Sequence, residues 1–411
     1  MKFNKWTLGL AAVGVVSLAS AARADEKMNS LQTALSNTTI SGSVSASANW
    51  DITPGGNGEQ YSPGGEIPFQ GGKQDGFNLD VVRLTIAKPE DESPWASGYQ
   101  IDLMFGPDAV GYNPITASNG SGTYSDGQMA IKQAYVTLRT PVGNGIDWKV
   151  GVFDTIIGYE VTDAQNDPNY TRSWGYYVEP TEHTGVLASY TINPEWSVSA
   201  GIANTLSAGI NDRNDEENAS SYWHKTYMGS LTFTAPSSWG WAAGSSFYAG
   251  IVSGFGSHGE GEYYAGGNQV NYYGGVTLNT PWSKLTTGVA FDYAHNIGGG
   301  YSSDYGYSAY ADTCVIGLYA TYKATDKLSF DGRAEYVTGE YWELAYGSSY
   351  ASYSEDGYEL TATMEYDLWA NVMSRLELRW DHANGNYLPG IGYDIEHKDS
   401  VGLYANVIYK F

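Results

Sequence analysis

The sequence predicts an all-β protein, a transmembrane antiparallel β-barrel of about sixteen strands with short periplasmic turns and long extracellular loops. Three observations predict this fold: polar and apolar residues alternate, short and long connections alternate, and tryptophans lie at strand ends. The segment TISGSVSASANW (Thr39–Trp50) has apolar residues or glycine at every even position and polar residues at the odd positions from Thr39 to Asn49. Successive side chains of a strand point to opposite faces, so this strand separates an apolar from a polar environment.

The same alternation recurs along the chain. It is clearest in the segments from Leu328 to Tyr336 and from Tyr358 to Asp367, and its phase slips at Val81-Val82, which indicates a β-bulge. In chain order the predicted strands are Thr39–Trp50, Phe77–Lys88, Tyr99–Phe105, Met129–Thr140, Ile146–Val152, His183–Ile192, Trp196–Ile202, Tyr227–Ala235, Trp241–Val252, Gln269–Leu278, Leu285–Tyr293, Cys314–Tyr322, Leu328–Tyr336, Tyr358–Asp367, Leu376–Trp380 and Val401–Phe411. Most are near the about 9–11 residues that a tilted strand needs to cross a bilayer.

Short and long connections between these strands alternate along the chain. Short ones such as TPVGNG, INPE and KATDK alternate with long stretches rich in Gly, Tyr, Asn and Ser. The long stretches are Ile52–Gly76, Pro107–Gln128, Gly158–Glu182, Asn204–Trp223, Phe255–Gly267, Asn296–Ser308, Glu340–Glu355 and Ala383–Lys398. Short turns at one end and long loops at the other are typical of outer-membrane barrels, and an even strand number puts both termini on the periplasmic side.

Tryptophans gather at the predicted strand ends. Trp50 and Trp380 lie at the loop ends, and six others lie at or beside short turns: Trp148, Trp196, Trp239, Trp241, Trp282 and Trp369. Amphipathic rings prefer the headgroup level of a bilayer, so this placement predicts two aromatic girdles. Only a helix or a closed sheet satisfies its backbone polar groups in hydrocarbon, and about sixteen strands leave a water-filled lumen.

The N-terminus has the pattern of an export signal. Lys2 and Lys5 precede an apolar run, and Ala22-Arg23-Ala24 forms an A-x-A cleavage site. We predict a signal peptide at residues 1–24, a short periplasmic segment at residues 25–38 and the transmembrane barrel at residues 39–411. The segment DEKMNSLQTALSN (Asp25–Asn37) has Met28, Leu31 and Leu35 at helical spacing, which fits a short periplasmic helix or a plug-like segment. A frayed terminal tail fits it equally well.

Composition excludes several functions. The formal net charge of −24 provides no basic surface for nucleic acid, and the single cysteine, Cys314, excludes an intrachain disulfide framework and a cysteine-built zinc site. We expect no cofactor and no metal. Asp381 and His382 are adjacent and should point to opposite faces of a strand, so they do not form a catalytic pair, and we predict that the protein is not an enzyme.

Charged residues on the polar faces are candidates for lining or narrowing the lumen, because opposed charges can screen solutes by size and charge. The alternative is a set of solvated ion pairs with little effect on flux. The candidates on strands are Arg83, Arg139, Lys149, Asp331, Arg333, Glu335, Glu359, Arg375, Glu377 and Arg379.

The third long loop, GYEVTDAQNDPNYTRSWGYYVEPTE, adds Glu160, Asp163 and Arg172 to these candidates. It is long and aromatic enough to fold into the channel, but packing over the mouth is an equal alternative. The acidic run at Asp212, Asp215, Glu216 and Glu217 suggests either a divalent-cation contact with lipopolysaccharide or a solvated loop.

The C-terminal sequence YANVIYKF puts Val407, Tyr409 and Phe411 on one face. A terminal phenylalanine preceded by apolar residues two apart resembles the signal that the bacterial barrel-assembly machinery reads. We therefore predict this machinery as a partner.

One stretch also resembles a known family. The pieces QAYV, PVGNG, KVGVFDTIIGYE, NYTRSWGY and HTGV, between Gln133 and Tyr190, are similar to the OmpL-like family, the second of the β-barrel porin families. The resemblance implies an outer-membrane porin and supplies no functional residues.

We therefore expect a porin in the cell outer membrane that allows passive diffusion of small hydrophilic solutes or ions, with a weak cation preference and a possible homotrimer. Its other partners would be outer-membrane lipid and lipopolysaccharide. The alternatives are a structural or adhesive surface barrel with binding loops and a blocked lumen, and a soluble secreted β-protein.

Overall fold

The computed structural model describes residues 37–52, 73, 75–109, 129–206, 209–211, 224–255, 268–302, 307–345, 349–384 and 398–411. Within residues 297–311 and 341–353, and at residue 355, the structure describes the backbone only. The predicted signal peptide, most of the predicted periplasmic segment and the acidic run at residues 212–217 lie outside the described residues. In the described part of the chain, no helix is long and apolar enough to span a membrane.

Sixteen antiparallel strands form one closed barrel in which each strand pairs with its neighbours in sequence and β1 pairs with β16. The predicted transmembrane antiparallel barrel is therefore confirmed in strand number and topology. The strands are β1 (Thr39–Asp51), β2 (Gly76–Lys88), β3 (Ser97–Phe105), β4 (Met129–Thr140), β5 (Ile146–Asp154), β6 (Glu182–Thr191), β7 (Trp196–Ala203), β8 (Thr226–Thr234), β9 (Ser246–Phe255), β10 (Asn268–Asn279), β11 (Leu285–Ser302), β12 (Tyr307–Lys323), β13 (Leu328–Ala345), β14 (Ser349–Trp369), β15 (Val372–Ala383) and β16 (Asp399–Lys410). One short helix, α1 (Trp174–Val178), lies between β5 and β6.

The chain ends close the barrel. The register pairs Val44 with Tyr409 and Ala46 with Val407, and Phe411 exchanges two backbone hydrogen bonds with Gly42, at 2.9 and 3.0 Å. Closure leaves no free sheet edge, as a β-structure in hydrocarbon requires. The residues of the predicted assembly signal lie on the outer face, where Val407, Tyr409 and Phe411 are about half exposed.

The outer face of the barrel is apolar. Leu318, Leu360, Leu376 and Leu378 are each close to half exposed, and such a band of exposed apolar side chains suits contact with hydrocarbon. Exposed tryptophans near the short turns are Trp95, Trp196, Trp239, Trp241, Trp282 and Trp369, and Trp50 is exposed at the loop end.

The inner face carries the charged side chains, and on β13 to β15 its phase agrees with the polar phase of the sequence pattern. Arg375 pairs in register with Glu365, and Glu335 pairs with Glu359. Register shifts opposite Ser45/Ala46 and at Asp102/Leu103 leave Asp80 and Lys132 as extra residues of β2 and β4. The first of these bulges lies next to the slip seen at Val81-Val82.

Two predicted long loops were wrong. Residues 296–308 and 340–355 belong largely to strands, because β11 and β12 extend to Ser302 and Tyr307, and β13 and β14 extend to Ala345 and Ser349. The Tyr, Ser and Gly content suggested loops, but backbone pairing continues along these segments, as in the partners Tyr301 and Ser308. Tyrosine and β-branched residues favour strands wherever a pairing edge is available.

One predicted strand start was also wrong. Trp241 lies in a 3₁₀ segment at Ser237–Ala242, and β9 begins only at Ser246. Gly240 in this segment has φ 61°, and Gly244 after it has φ 79°. These conformations favour glycine and produce a tight turn, so the aromatic sequence SSWGW forms a connection instead of a strand.

Candidate functional site

The third loop, defined here as residues 155–181, leaves β5 and returns to β6 through the lumen of the barrel. A backbone hydrogen bond from Thr155 to Thr181, 2.9 Å long, joins its two ends. Between these ends, the loop contacts side chains of strands from β1 and β2 around to β15. The sequence had left an inward fold and packing over the mouth as equal alternatives, and these contacts lie on the lumenal wall.

The first part of the loop packs into an apolar cluster on one half of the wall. Ile156, Ile157 and Tyr159 are buried with inward side chains of β4 to β12. The Tyr159 ring stacks on Tyr319 with 4.1 Å between centroids, and the Tyr248 hydroxyl donates to the Ile156 carbonyl. Burial of apolar side chains on both partners stabilises this contact.

Helix α1 anchors the loop through its N-terminal backbone. The Ser173 side chain caps the helix by accepting from the Tyr176 N–H at 3.0 Å. The free N–H groups of Trp174 and Gly175 donate to the Glu335 carboxylate on β13 at 2.6 and 3.1 Å. A carboxylate is a favourable partner for the unsatisfied N–H groups at a helix start.

A second anchor lies on β14 and β15. The N–H groups of Tyr170 and Thr171 donate to Glu377 at 2.5 and 2.9 Å, and the Asn169 amide donates to Thr363 at 2.7 Å. The Tyr170 hydroxyl reaches across β16 and β1, and it lies 2.9 Å from Asp80 Oδ1 on β2.

Three wall arginines donate to the third loop. Arg333 donates to the Glu160 carboxylate at 2.8 Å and to the Thr171 carbonyl at 2.7 Å, and it pairs with Glu359 at 3.2 Å. Two further arginines donate to loop carbonyls: Arg375 to Asn169 at 2.6 Å and Arg379 to Arg172 at 2.6 Å. Guanidinium groups present several donors in a fixed geometry, so they can bind carboxylates and carbonyls together.

Arg83 of β2 also contacts the third loop. It pairs with Asp102 at 3.2 Å and with Asp163 of the third loop at 3.2 Å. Arg172 pairs with Asp167 inside the loop and lies over the Tyr176 ring at 5.5 Å. Ion pairs at Arg83 and Arg333 therefore join the loop to the wall in a network of opposite charges.

The candidates from the sequence fall into two groups. Most of them meet at the third loop: Arg83, Glu160, Asp163, Arg172, Arg333, Glu335, Glu359, Arg375, Glu377 and Arg379. The other three lie elsewhere on the wall, where Arg139 pairs with Asp147, Asp331 accepts from Thr321 and Lys149 lies over the Tyr135 ring. A role of any of these residues in flux stays a prediction.

Sequence reasoning missed several members of the network. Lys132 pairs with Asp154 at 2.5 Å and with Glu182 at 2.9 Å, and Asp80 accepts from Ser45 and Ser47 at 2.7 Å. Both Lys132 and Asp80 are the extra residues at bulges, where simple alternation does not indicate the face. Asp102 and Asp381 lie on the polar phase of the alternation, so the sequence pattern was sufficient to place them on the inner face.

Gly288 on β11 provides a test of the packing under the third loop. A Cβ at this position would lie 1.8 Å from the Tyr159 hydroxyl, whereas a Cβ at Gly274 would meet nothing within 4 Å. We expect Gly288→Ala to displace Tyr159 from Tyr319 and to cost about 1–3 kcal/mol, as overpacking does. Urea unfolding in lipid vesicles measures this, and Gly274→Ala is the control; equal stability of the two variants would contradict the packing.

The fold and the site together define a class of protein: a closed transmembrane β-barrel whose charged lumen is crossed by its third loop. The family model "Putative beta-barrel porin-2, OmpL-like" matches residues 37–411, so the chain belongs to this porin family. The resemblance seen between Gln133 and Tyr190 is confirmed. A comparison with curated protein sequences gives no match.

Solved structures of outer-membrane proteins have the same fold. OmpT of Vibrio cholerae in its trimer form is 15% identical, with a TM-score of 0.52 over 91% of this chain and 99% of that chain. The outer membrane channel DcaP of Acinetobacter baumannii is 15% identical, with a TM-score of 0.54 over 91% of this chain and 97% of that chain. An anion-selective porin from Comamonas acidovorans is 11% identical, with a TM-score of 0.52 over 91% and 99%.

Proposed function

We propose that this protein is an outer-membrane porin through which small hydrophilic solutes or ions diffuse passively, and that the third loop limits their passage. The observation that carries the proposal is the loop itself, held across a charged lumen by Arg333, Glu335 and Glu377. A charged constriction of this kind discriminates among solutes by size and charge.

A weak cation preference is supported by carboxylates that exceed their cationic partners. Four carboxylates lie around two guanidinium groups, those of Arg333 and Arg379; they are Glu160, Glu335, Glu359 and Asp381. Glu179 of the loop and Asp292 of β11 lie side by side in hydrogen-bonding contact, which requires a shared proton, so this pair contributes one negative charge. Negative potential along a low-dielectric pathway raises the local concentration of cations.

The family and the similar outer-membrane structures support a location in the outer membrane and a channel without enzymatic activity. The trimer form described for the similar OmpT supports a homotrimer. Outer-membrane lipid and lipopolysaccharide would contact the apolar outer face, and the barrel-assembly machinery would read Val407, Tyr409 and Phe411.

A structural or adhesive barrel with a blocked lumen is the second candidate. The observation that favours it is the extent of the contact between the third loop and the wall, since Ile156 and Trp174 are fully buried. In this case the loop would close the lumen permanently.

Planar-bilayer recording of the purified, folded full chain distinguishes the two. We expect stepwise, ohmic openings and, in a KCl gradient, a reversal potential of the sign that indicates preferential passage of K⁺. Heat-modifiable mobility on gels verifies folding of the same sample. A folded barrel that stays electrically silent would overturn the porin proposal and support the blocked barrel.

A further inference from the structure

A cavity of about 660 Å³ lies at the short-turn end of the barrel. Its wall includes inward residues of β3 to β5, among them Gln100, Tyr135, Thr137 and Lys149, and its rim includes residues of the turns after β2, β4 and β6. Tyr135 also belongs to the apolar cluster that contains Ile156 of the third loop. The cavity therefore lies directly below the loop, and its size suits a small organic molecule.

Lys149 is the distinctive group of this cavity. Its ammonium lies 4.8 Å from the centroid of the Tyr135 ring, and within the described residues it has no hydrogen-bond or ion-pair partner. Two other cations of the inner wall, on β4, are paired directly: Arg139 with Asp147 at 2.6 Å and Lys132 with Asp154 at 2.5 Å. Asp154, Asp102 and Glu90 act on this ammonium from a distance, but no carboxylate of the described residues contacts it, so an anion that enters the cavity stabilises it.

The surroundings of Lys149 are held in place before any ligand binds. The Tyr135 hydroxyl donates to Gln100 Oε1 at 2.9 Å, and Gln100 donates to Asp102 at 2.8 Å. The carboxylate of Asp102 is itself paired with Arg83, so it does not neutralise Lys149 directly. A fixed aromatic ring reduces the conformational cost of binding.

We propose that this cavity binds small organic carboxylates, with the carboxylate on the Lys149 ammonium and the carbon body against the Tyr135 side of the wall. The proposal names a solute class for the channel and rests on the proposed function for its biological role. The anion site is confined to the cavity around Lys149. The cation preference proposed above arises at the third loop, so the two are compatible.

Glu90, in the turn after β2, makes the site sensitive to pH. Burial, followed by the nearby Asp147, raises the pKa of the Glu90 carboxyl to about 7. The other charged groups of the cavity are Lys88, Asp91, Glu92 and the paired Arg139 and Asp147. Because Glu90 gains negative charge between pH 6 and pH 8, repulsion of a bound carboxylate increases, and affinity should fall over that range.

Calorimetric titration of the full chain, folded in detergent, with benzoate tests the site. We expect saturable binding that Lys149→Met weakens at least tenfold, because the variant removes the charged hydrogen-bond donor of the site. Lys149→Arg should keep most of the affinity, and Lys88→Met, a lysine of the same cavity, should change it little. Glu90→Gln should remove the decline of affinity between pH 6 and pH 8.

Benzyl alcohol, which has the same ring and no charge, should not bind saturably. Absence of saturable benzoate binding, equal affinity in Lys149→Met, or equal binding of benzyl alcohol would each overturn the carboxylate site. Titration in detergent does not depend on conduction. If the folded protein binds benzoate but gives no openings in a planar bilayer, the porin proposal is refuted and the carboxylate site is not.

Discussion

Arg333→Met is expected to widen the channel and to destabilise the barrel. Arg333 is buried, with 2% of the residue exposed, and its guanidinium connects Glu160 and Thr171 of the third loop to Glu359 of the wall. Its removal leaves buried carboxylates without their main counter-ion, and such a loss typically costs about 3–5 kcal/mol. The loop should then leave the wall part of the time, so single-channel recording should give larger and noisier openings.

Arg139→Met is the matched control for this change. Like Arg333, Arg139 pairs with a carboxylate on the inner wall, that of Asp147 at 2.6 Å. This pair is partly exposed and involves no residue of the third loop. We expect a loss of about 1 kcal/mol or less, as for other solvated pairs, and an unchanged unit conductance. If Arg333→Met matched wild type in conductance and in urea unfolding, the proposed anchor would be wrong.

Leu376→Arg is expected to be strongly destabilising because Leu376 faces hydrocarbon. Its side chain is 46% exposed on the outer face, and its register partners are Met364 and Ala405. An arginine on the lipid face near the bilayer midplane costs about 2–4 kcal/mol. Reversible unfolding in lipid vesicles measures this loss.

Ser199→Arg provides the comparison on the inner face. Ser199 lies on β7 with its hydroxyl 2.9 Å from that of Ser189, and it is only partly buried. An arginine there can extend into the lumen, so we expect little loss of stability. Equal destabilisation by both arginines would mean that the apolar face of the strands is not in contact with lipid.

The alternation of polar and apolar residues made the barrel predictable, because each strand separates lipid from the aqueous lumen. Successive residues face these two environments in turn, so their polarity indicates the face. Arg375 and Glu365 fall opposite each other in register, as the polar phase indicated. Asp80 and Lys132 could not be assigned in this way, because a bulge inserts one residue and reverses the pattern locally.

The path of the third loop depends on contacts that are distant in sequence. Tyr170 and Glu377 are separated by 207 positions, and nothing in either local sequence specifies that pair. The length and aromatic content of the loop indicated that it was able to enter the lumen. Its anchors became apparent only from the geometry of β13 to β15.

A disulfide between the third loop and the wall tests the central claim most directly. In a Cys314→Ser background, Asn169→Cys and Thr363→Cys replace two side chains whose polar atoms lie 2.7 Å apart, and Ser189→Cys with Ser199→Cys provides a wall-to-wall control at 2.9 Å. Oxidation of folded protein in membranes should cross-link both pairs, with a mobility shift that reduction reverses. Cross-linking of the wall pair without cross-linking of the loop pair would contradict a third loop held across the lumen.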